Sequence, residues 1–185
     1  MNIILFSADY NDKIYRIHKT FGFLLKYSIY EKVRCKIPVK IEAEYNHLVN
    51  PYLLKPSSEI PDYNIIPKTA FYTKLLAKLF TFLSLQSFLF VRALSHCRFP
   101  IFNTTEEAIL FYRKLYPNEQ MNLCLPRSLF AACTSKTFKK EGALFIGVFL
   151  PSKGMHAWIL EGGKQPDPYD DVWICYQPVA VMYNK

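Results

Sequence analysis

"NLCLPRSLFAACTSK", residues 122–136, and "GMHAWILEGGKQPD", residues 154–167, carry the residues on which the reading of this chain turns. Pro126 has no N–H, so in a helix it belongs in the first turn, where that donor has no helical partner anyway. The helix therefore starts at about residues 123–125, with Cys124 at or within one residue of its N-terminus. Apolar residues at 125, 129, 130, 132 and 133 form one helical face. Lys136, Lys139 and Lys140 fall in the last turn, and Gly142 can end the helix. "ALFIGVFL" then reads as a fully apolar strand. "HAWILE" reads as another, with His156, Trp158 and Leu160 on one face and Ala157, Ile159 and Glu161 on the other. Gly162-Gly163 is a hairpin signal, and "DVWICYQP" and "VAVMY" supply further strands. The expected class is α+β: a helix packed on an antiparallel sheet, with a cysteine on the helix tip and a histidine on a central strand.

Those positions suit a cysteine nucleophile. A thiol attacks as its thiolate, and the free amides and dipole of a helix N-terminus lower its pKa, as does a nearby imidazolium. Cys133 lies deeper in the same helix and lacks that advantage, while Arg127 is near enough in sequence to add positive potential. An imidazole base needs a third group to hold one tautomer. Asp167, eleven residues after His156 and beyond the hairpin, can return to it on the neighbouring strand. A cysteine on a helix or a histidine on an apolar strand is, alone, an ordinary core residue. The order Cys–His–Asp together with the helix-tip placement favours a site. His18, His47 and His96 lack comparable neighbours, and Cys35, Cys97 and Cys175 read as packing.

The chain has 185 residues, half of them apolar, which suits one domain or a small module plus a compact one. Its formal charge of +8 would suit nucleic acid, an anionic surface or an acidic peptide. No dense basic tract with interleaved aromatics and no zinc-finger or RNA-recognition spacing occurs, so nucleic acid is not expected. Five cysteines without a C-x-x-C pair argue against a disulfide framework and a structural zinc site. No metal or cofactor is expected. The N-terminus has no basic leader, so the cytoplasm is the expected location.

Residues 1–30 look like strands, with Asn11-Asp12 as a turn, and residues 51–68, with four prolines, read as an extended connection. A boundary is expected near residues 50–68, dividing the chain into residues 1–68 and 69–185. Phe71 to Leu94 reads as one helix or two. Its uncharged core, Leu79 to Val91, bounded by Lys78 and Arg92, is too short to span a bilayer, and its surplus apolar face should bury against the protein or a partner. Thr104 and Thr105 before Glu106-Glu107 mark another helix start, and Pro117 its end.

"CLPRSL", then "IGV" at 146–148, then "HAW" at 156–158 followed by "GG" and an Asp, resembles the C-terminal region of lasso peptide biosynthesis B proteins. These are transglutaminase-like, papain-like cysteine peptidases that remove the leader from a lasso precursor. The likeness covers residues 122–180. It implies a Cys124 nucleophile, a His156 base and an Asp167 orienter, with a lasso precursor and an asparagine-synthetase-like cyclase as partners. This sequence has no G-x-x-x-x-G-K-[ST] loop, so any ATP use would belong to the cyclase. Residues 1–50 are similar in outline to the winged-helix-like leader-recognition module fused to microcin-type B proteins. The sequence departs from the family in two places. Leu160 stands where the family often has Glu, with Glu161 following. The His-to-Asp spacing is about one residue short, which leaves Asp170 and Asp171 as rivals. These two read most simply as a solvated turn entering a strand. Other readings of the chain are an acyl transferase of the same fold and a non-catalytic peptide-binding subunit.

Overall fold

Runs of apolar residues in the C-terminal third build a sheet that is buried on both faces. In a computed structural model, the described residues are 1–5, 8–10, 13–17, 24–28, 70–84, 86–116, 123–149, 154–170 and 176–184. Strand β5 (Gly142–Phe149) pairs antiparallel with β6 (Gly154–Glu161) on one side and β7 (Gln177–Tyr183) on the other. Strand β1 (Asn2–Leu5) adds beyond β7, giving the order β1-β7-β5-β6. Strands β2 (Ala8–Tyr10), β3 (Lys13–Ile17) and β4 (Leu24–Ser28) form a separate three-stranded antiparallel sheet. Expected strands in the first thirty residues are therefore present, but β1 belongs to the sheet of the C-terminal region. Its register joins residues 2–5 to residues 180–183. Residues 29–69, with the expected boundary and the remainder of that module, lie outside the described residues.

The two faces of the large sheet bury different residues, as the period of two requires. Ala143, Phe145, Trp158, Leu160 and Val181 form a small cluster on one face. Leu144, Ile146, Val148, Ala157, Ile159, Ala180 and Met182 face the main core, where the helices lie. The helices are α1 (Ala70–Ser84), α2 (Phe88–Ser95), α3 (Thr105–Leu115), α4 (Cys124–Thr134) and the short α5 (Phe138–Glu141). The stretch expected to hold one helix or two holds two, broken before Ser87, whose backbone is extended. Thr104 caps α3: its side chain accepts from the Glu107 N–H at 3.1 Å, and the Glu107 carboxylate accepts from the Thr104 N–H at 3.3 Å, a capping box.

Helix α4 starts at Cys124 but ends at Thr134, before Lys136, Lys139 and Lys140. Ser135 leaves it in extended backbone and accepts the Phe138 N–H at 3.2 Å, opening α5. Gly142 begins β5 instead of ending α4. On α1, Leu76, Ala77 and Phe80 are buried while Phe71, Leu75, Leu79 and Phe82 are exposed, so among the described residues nothing covers this outer face. Among the described residues no helix is long and apolar enough to cross a membrane.

Gly147 pairs with His156 in the β5–β6 register and lies under the Trp158 ring. A Cβ there would meet Trp158 ring carbons at 2.6 and 2.7 Å and the Gln177 carbonyl oxygen at 2.9 Å. Overpacking of this kind costs about 1–3 kcal/mol. Gly147→Ala should lower the melting temperature by several degrees and change the Trp158 fluorescence. A thermal melt monitored by intrinsic fluorescence checks it.

Candidate active site

Cys124 is the first residue of α4. Leu123, in the N-cap position, has extended backbone and no side-chain cap, and Pro126 has no N–H to offer. The first-turn amides at the tip are thus not taken by a capping side chain, and they and the helix dipole act on the sulfur. One turn later Ser128 donates through its hydroxyl to the Ala157 carbonyl at 3.1 Å. Residues 124 and 128 share a helix face. Ala157 also makes a backbone hydrogen bond to the Cys124 sulfur, so α4 docks along β6 through one residue of the strand. Among the described strands β6 is at one edge of its sheet, not central as expected, and the backbone of its Ala157 is what α4 binds.

His156 lies on β6 next to that contact and hydrogen-bonds Cys124. Its Nε2 stands 2.8 and 2.9 Å from the two oxygens of Asp170. A carboxylate only accepts, so Nε2 carries a proton and Nδ1 is left for the sulfur. The ring stacks near-parallel on Trp158, with centroids 6.0 Å apart, and its other neighbour is Tyr176 at 5.0 Å. Trp158 stacks in turn on Phe145. The histidine side chain is 12% exposed and that of Asp170 3%.

The carboxylate that meets His156 is that of Asp170, one of the two rivals, and not that of Asp167. Asp167 is buried, and it holds arginines in place of His156. Its carboxylate accepts two hydrogen bonds from Arg113 at 2.9 and 3.0 Å through Nη2 and one at 3.1 Å through Nε. Arg127 Nε lies 3.2 Å from its other oxygen. Pro166 and Pro168 do stiffen this stretch, but the residue they deliver to the histidine is three places further on. The Asp170 N–H donates to the Asp167 carbonyl at 3.2 Å, closing a four-residue turn with Pro168 second. Asp-Pro-x-x is a turn signature, and that signal could have moved the choice to Asp170. Asp170 is buried, in contrast to the solvated turn expected for it. Asp171 and the expected strand from Asp171 to Cys175 lie outside the described residues.

Glu161, at the far end of β6, accepts from the Thr105 and Thr137 hydroxyls, so it ties the strand to the start of α3 and takes no part in this cluster. Cys133 is buried, with its thiol directed at the Leu94 carbonyl at 3.2 Å. Cys97 is half-buried on the surface turn after α2, and Cys35 and Cys175 are outside the described residues. Among the described residues no three His, Cys, Asp or Glu side chains are grouped to hold a metal ion. Arg113 was not singled out by sequence, because a basic residue in the last turn of a helix looks like compensation of the dipole.

The electrostatics follow from this packing. Burial disfavours a charged Cys124, but the hydrogen bond and charge of His156, the Ala157 backbone and Arg127 outweigh it and lower the thiol pKa. Burial likewise disfavours a charged His156, and the bonds to Asp170 and Cys124 reverse this, raising it to about 9. Burial pushes Cys133 up to about 12. The shifts of Cys124 and His156 favour a thiolate beside an imidazolium, whereas that of Cys133 favours the neutral thiol.

Comparison with protein-family profiles, curated proteins and solved structures finds no match to this chain.

The signs give a pH test. His156 is raised above its ordinary 6.5, so its charged form contributes stability fully below about pH 6.5, and that contribution is lost as pH rises through about 9. Cys124 is lowered, so its thiolate persists below the ordinary thiol range. Iodoacetamide should label Cys124 readily at pH 6–7 while Cys133 stays unlabelled up to pH 9, as read by peptide mapping. Equal labelling of the two at neutral pH would mean that the Cys124–His156 pair is not charged.

Proposed function

We propose that this chain is a transglutaminase-like, papain-like cysteine peptidase that removes the leader from a lasso peptide precursor. The observation that carries the reading is the chain of contacts Cys124–His156–Asp170, with the sulfur at an uncapped helix tip. The resemblance of "CLPRSL", "IGV" and "HAW" to lasso peptide biosynthesis B proteins supports the leader as substrate. In this reading the Cys124 thiolate attacks the carbonyl carbon at the leader–core junction. The oxyanion takes hydrogen bonds from first-turn amides of α4, including the Cys124 N–H. The imidazolium of His156 gives its Nδ1 proton to the leaving amine, which departs as the new N-terminus of the core. Neutral His156 then takes a proton from water, the hydroxide adds to the thioester, and the leader leaves with a free carboxylate as Cys124 is regenerated.

Asp170 keeps Nε2 protonated and the ring oriented, and Trp158 packs under it. The partners of this proposal are the precursor and an asparagine-synthetase-like cyclase that uses the freed amine. The β2–β4 sheet belongs to the region proposed to recognise the leader, and the location is the cytoplasm.

The same cluster supports a second reading, acyl transfer to an amine, because the acyl-enzyme is common to both. Product analysis separates them: hydrolysis gives a leader carboxylate even with added amine, and transfer gives an amide.

Cys124→Ala should abolish leader release while precursor binding survives. Asp170→Ala should lower turnover by about two to four orders of magnitude, in line with loss of a triad acid. Mass spectrometry of a precursor digest, with folding checked by circular dichroism, measures both. Substantial cleavage by Cys124→Ala would end the peptidase reading.

A further inference from the structure

We propose that Asp167 is a positioning residue, clamped between Arg113 of α3 and Arg127 of α4 so that its turn delivers Asp170 to His156. The inference rests on the peptidase reading and adds to it a device that sets the geometry of the acid. Two arginines from different helices converge on one carboxylate whose side chain is 4% exposed. Arg113 binds it in a fork, and Arg127 stands on the helix that carries the nucleophile, three residues after Cys124. The other half of the device is the turn. Asp167 uses one carboxylate oxygen to accept the Tyr169 N–H at 3.1 Å and its carbonyl to accept the Asp170 N–H at 3.2 Å. Arg113 also lies over the Tyr169 ring, 4.9 Å from its centroid. The loop is thus attached to α4 at Asp167 and to β6 at Asp170, three residues apart. The distance from sulfur to imidazole to acid is set by one short, doubly anchored segment.

A purely structural clamp would alter stability and nothing else, so the test reads the state of Cys124. The pH profile of iodoacetamide labelling of Cys124 is measured on the full chain for Asp170→Asn, Asp167→Asn and Arg113→Lys, with kcat and KM on the precursor. The charge and geometric effects have opposite signs for Asp167→Asn. Removing its charge takes one counter-charge from Arg127 and would by itself lower the Cys124 pKa. Misplacing Asp170 weakens the imidazolium and raises it. Asn can still accept the Tyr169 N–H, and Arg113→Lys keeps the charge but loses the fork. Both variants should therefore move the labelling midpoint upward by about half a unit or more, and lower kcat by about tenfold or more with KM little changed. A downward or absent shift in a folded Asp167→Asn, together with a wild-type profile in Arg113→Lys, overturns the positioning role. If Asp167→Asn does not fold, Arg113→Lys, on the most exposed member of the clamp, decides by itself. Asp170→Asn serves as the reference: a wild-type profile there would instead sink the Cys–His–Asp reading.

Discussion

A carboxylate taken out of water must find positive charge and hydrogen-bond donors, and Asp167 finds both in Arg113 and Arg127. Removing one partner from such a buried cluster typically costs about 3–5 kcal/mol, since it leaves a charge uncompensated. That requirement ties three elements together: α3 through Arg113, α4 through Arg127, and the segment between β6 and β7 through Asp167 itself. Proline on either side leaves this segment few alternative paths. Asp170 then has one place to be.

The same economy of contacts operates on the side of Cys124. Ser128 and Cys124, one helical turn apart, both bind the backbone of Ala157. The helix is thereby held against the strand that carries His156 in the adjacent position. Below the strand, the absence of a side chain at Gly147 admits the Trp158 ring, which stacks beneath the imidazole. The site is assembled from one helix tip, one strand and one turn, each fixed by a different kind of force: hydrogen bonding, close packing and buried charge.

These contacts also act on charge. Every group buried here loses solvation, which alone would neutralise it. Asp170 reverses that for His156, and His156 reverses it for Cys124. Cys133, on the same helix but deep among apolar side chains, shows what burial does without such partners. Nine residues of helix and a neighbouring imidazole thus separate a thiol whose pKa is lowered from one whose pKa is raised.

Sequence by itself determined a good deal. Pro126 placed the start of α4 and put Cys124 at its tip, because a missing N–H is tolerated only in the first turn. The period of two placed His156 and Trp158 on one face of β6, and Thr104 with Glu107 placed the start of α3, because these signals are local. Tertiary structure decided the rest. That β1 joins β7 rests on pairing between the two ends of the chain, which no local pattern encodes. The carboxylate that meets His156 was within reach of the turn signature, but the arginines that claim Asp167 come from helices 54 and 40 residues away in sequence, and Arg113 bears no local mark of its partner. Which carboxylate a histidine meets depends on what the competing carboxylate has already been given, and only the folded chain settles that competition.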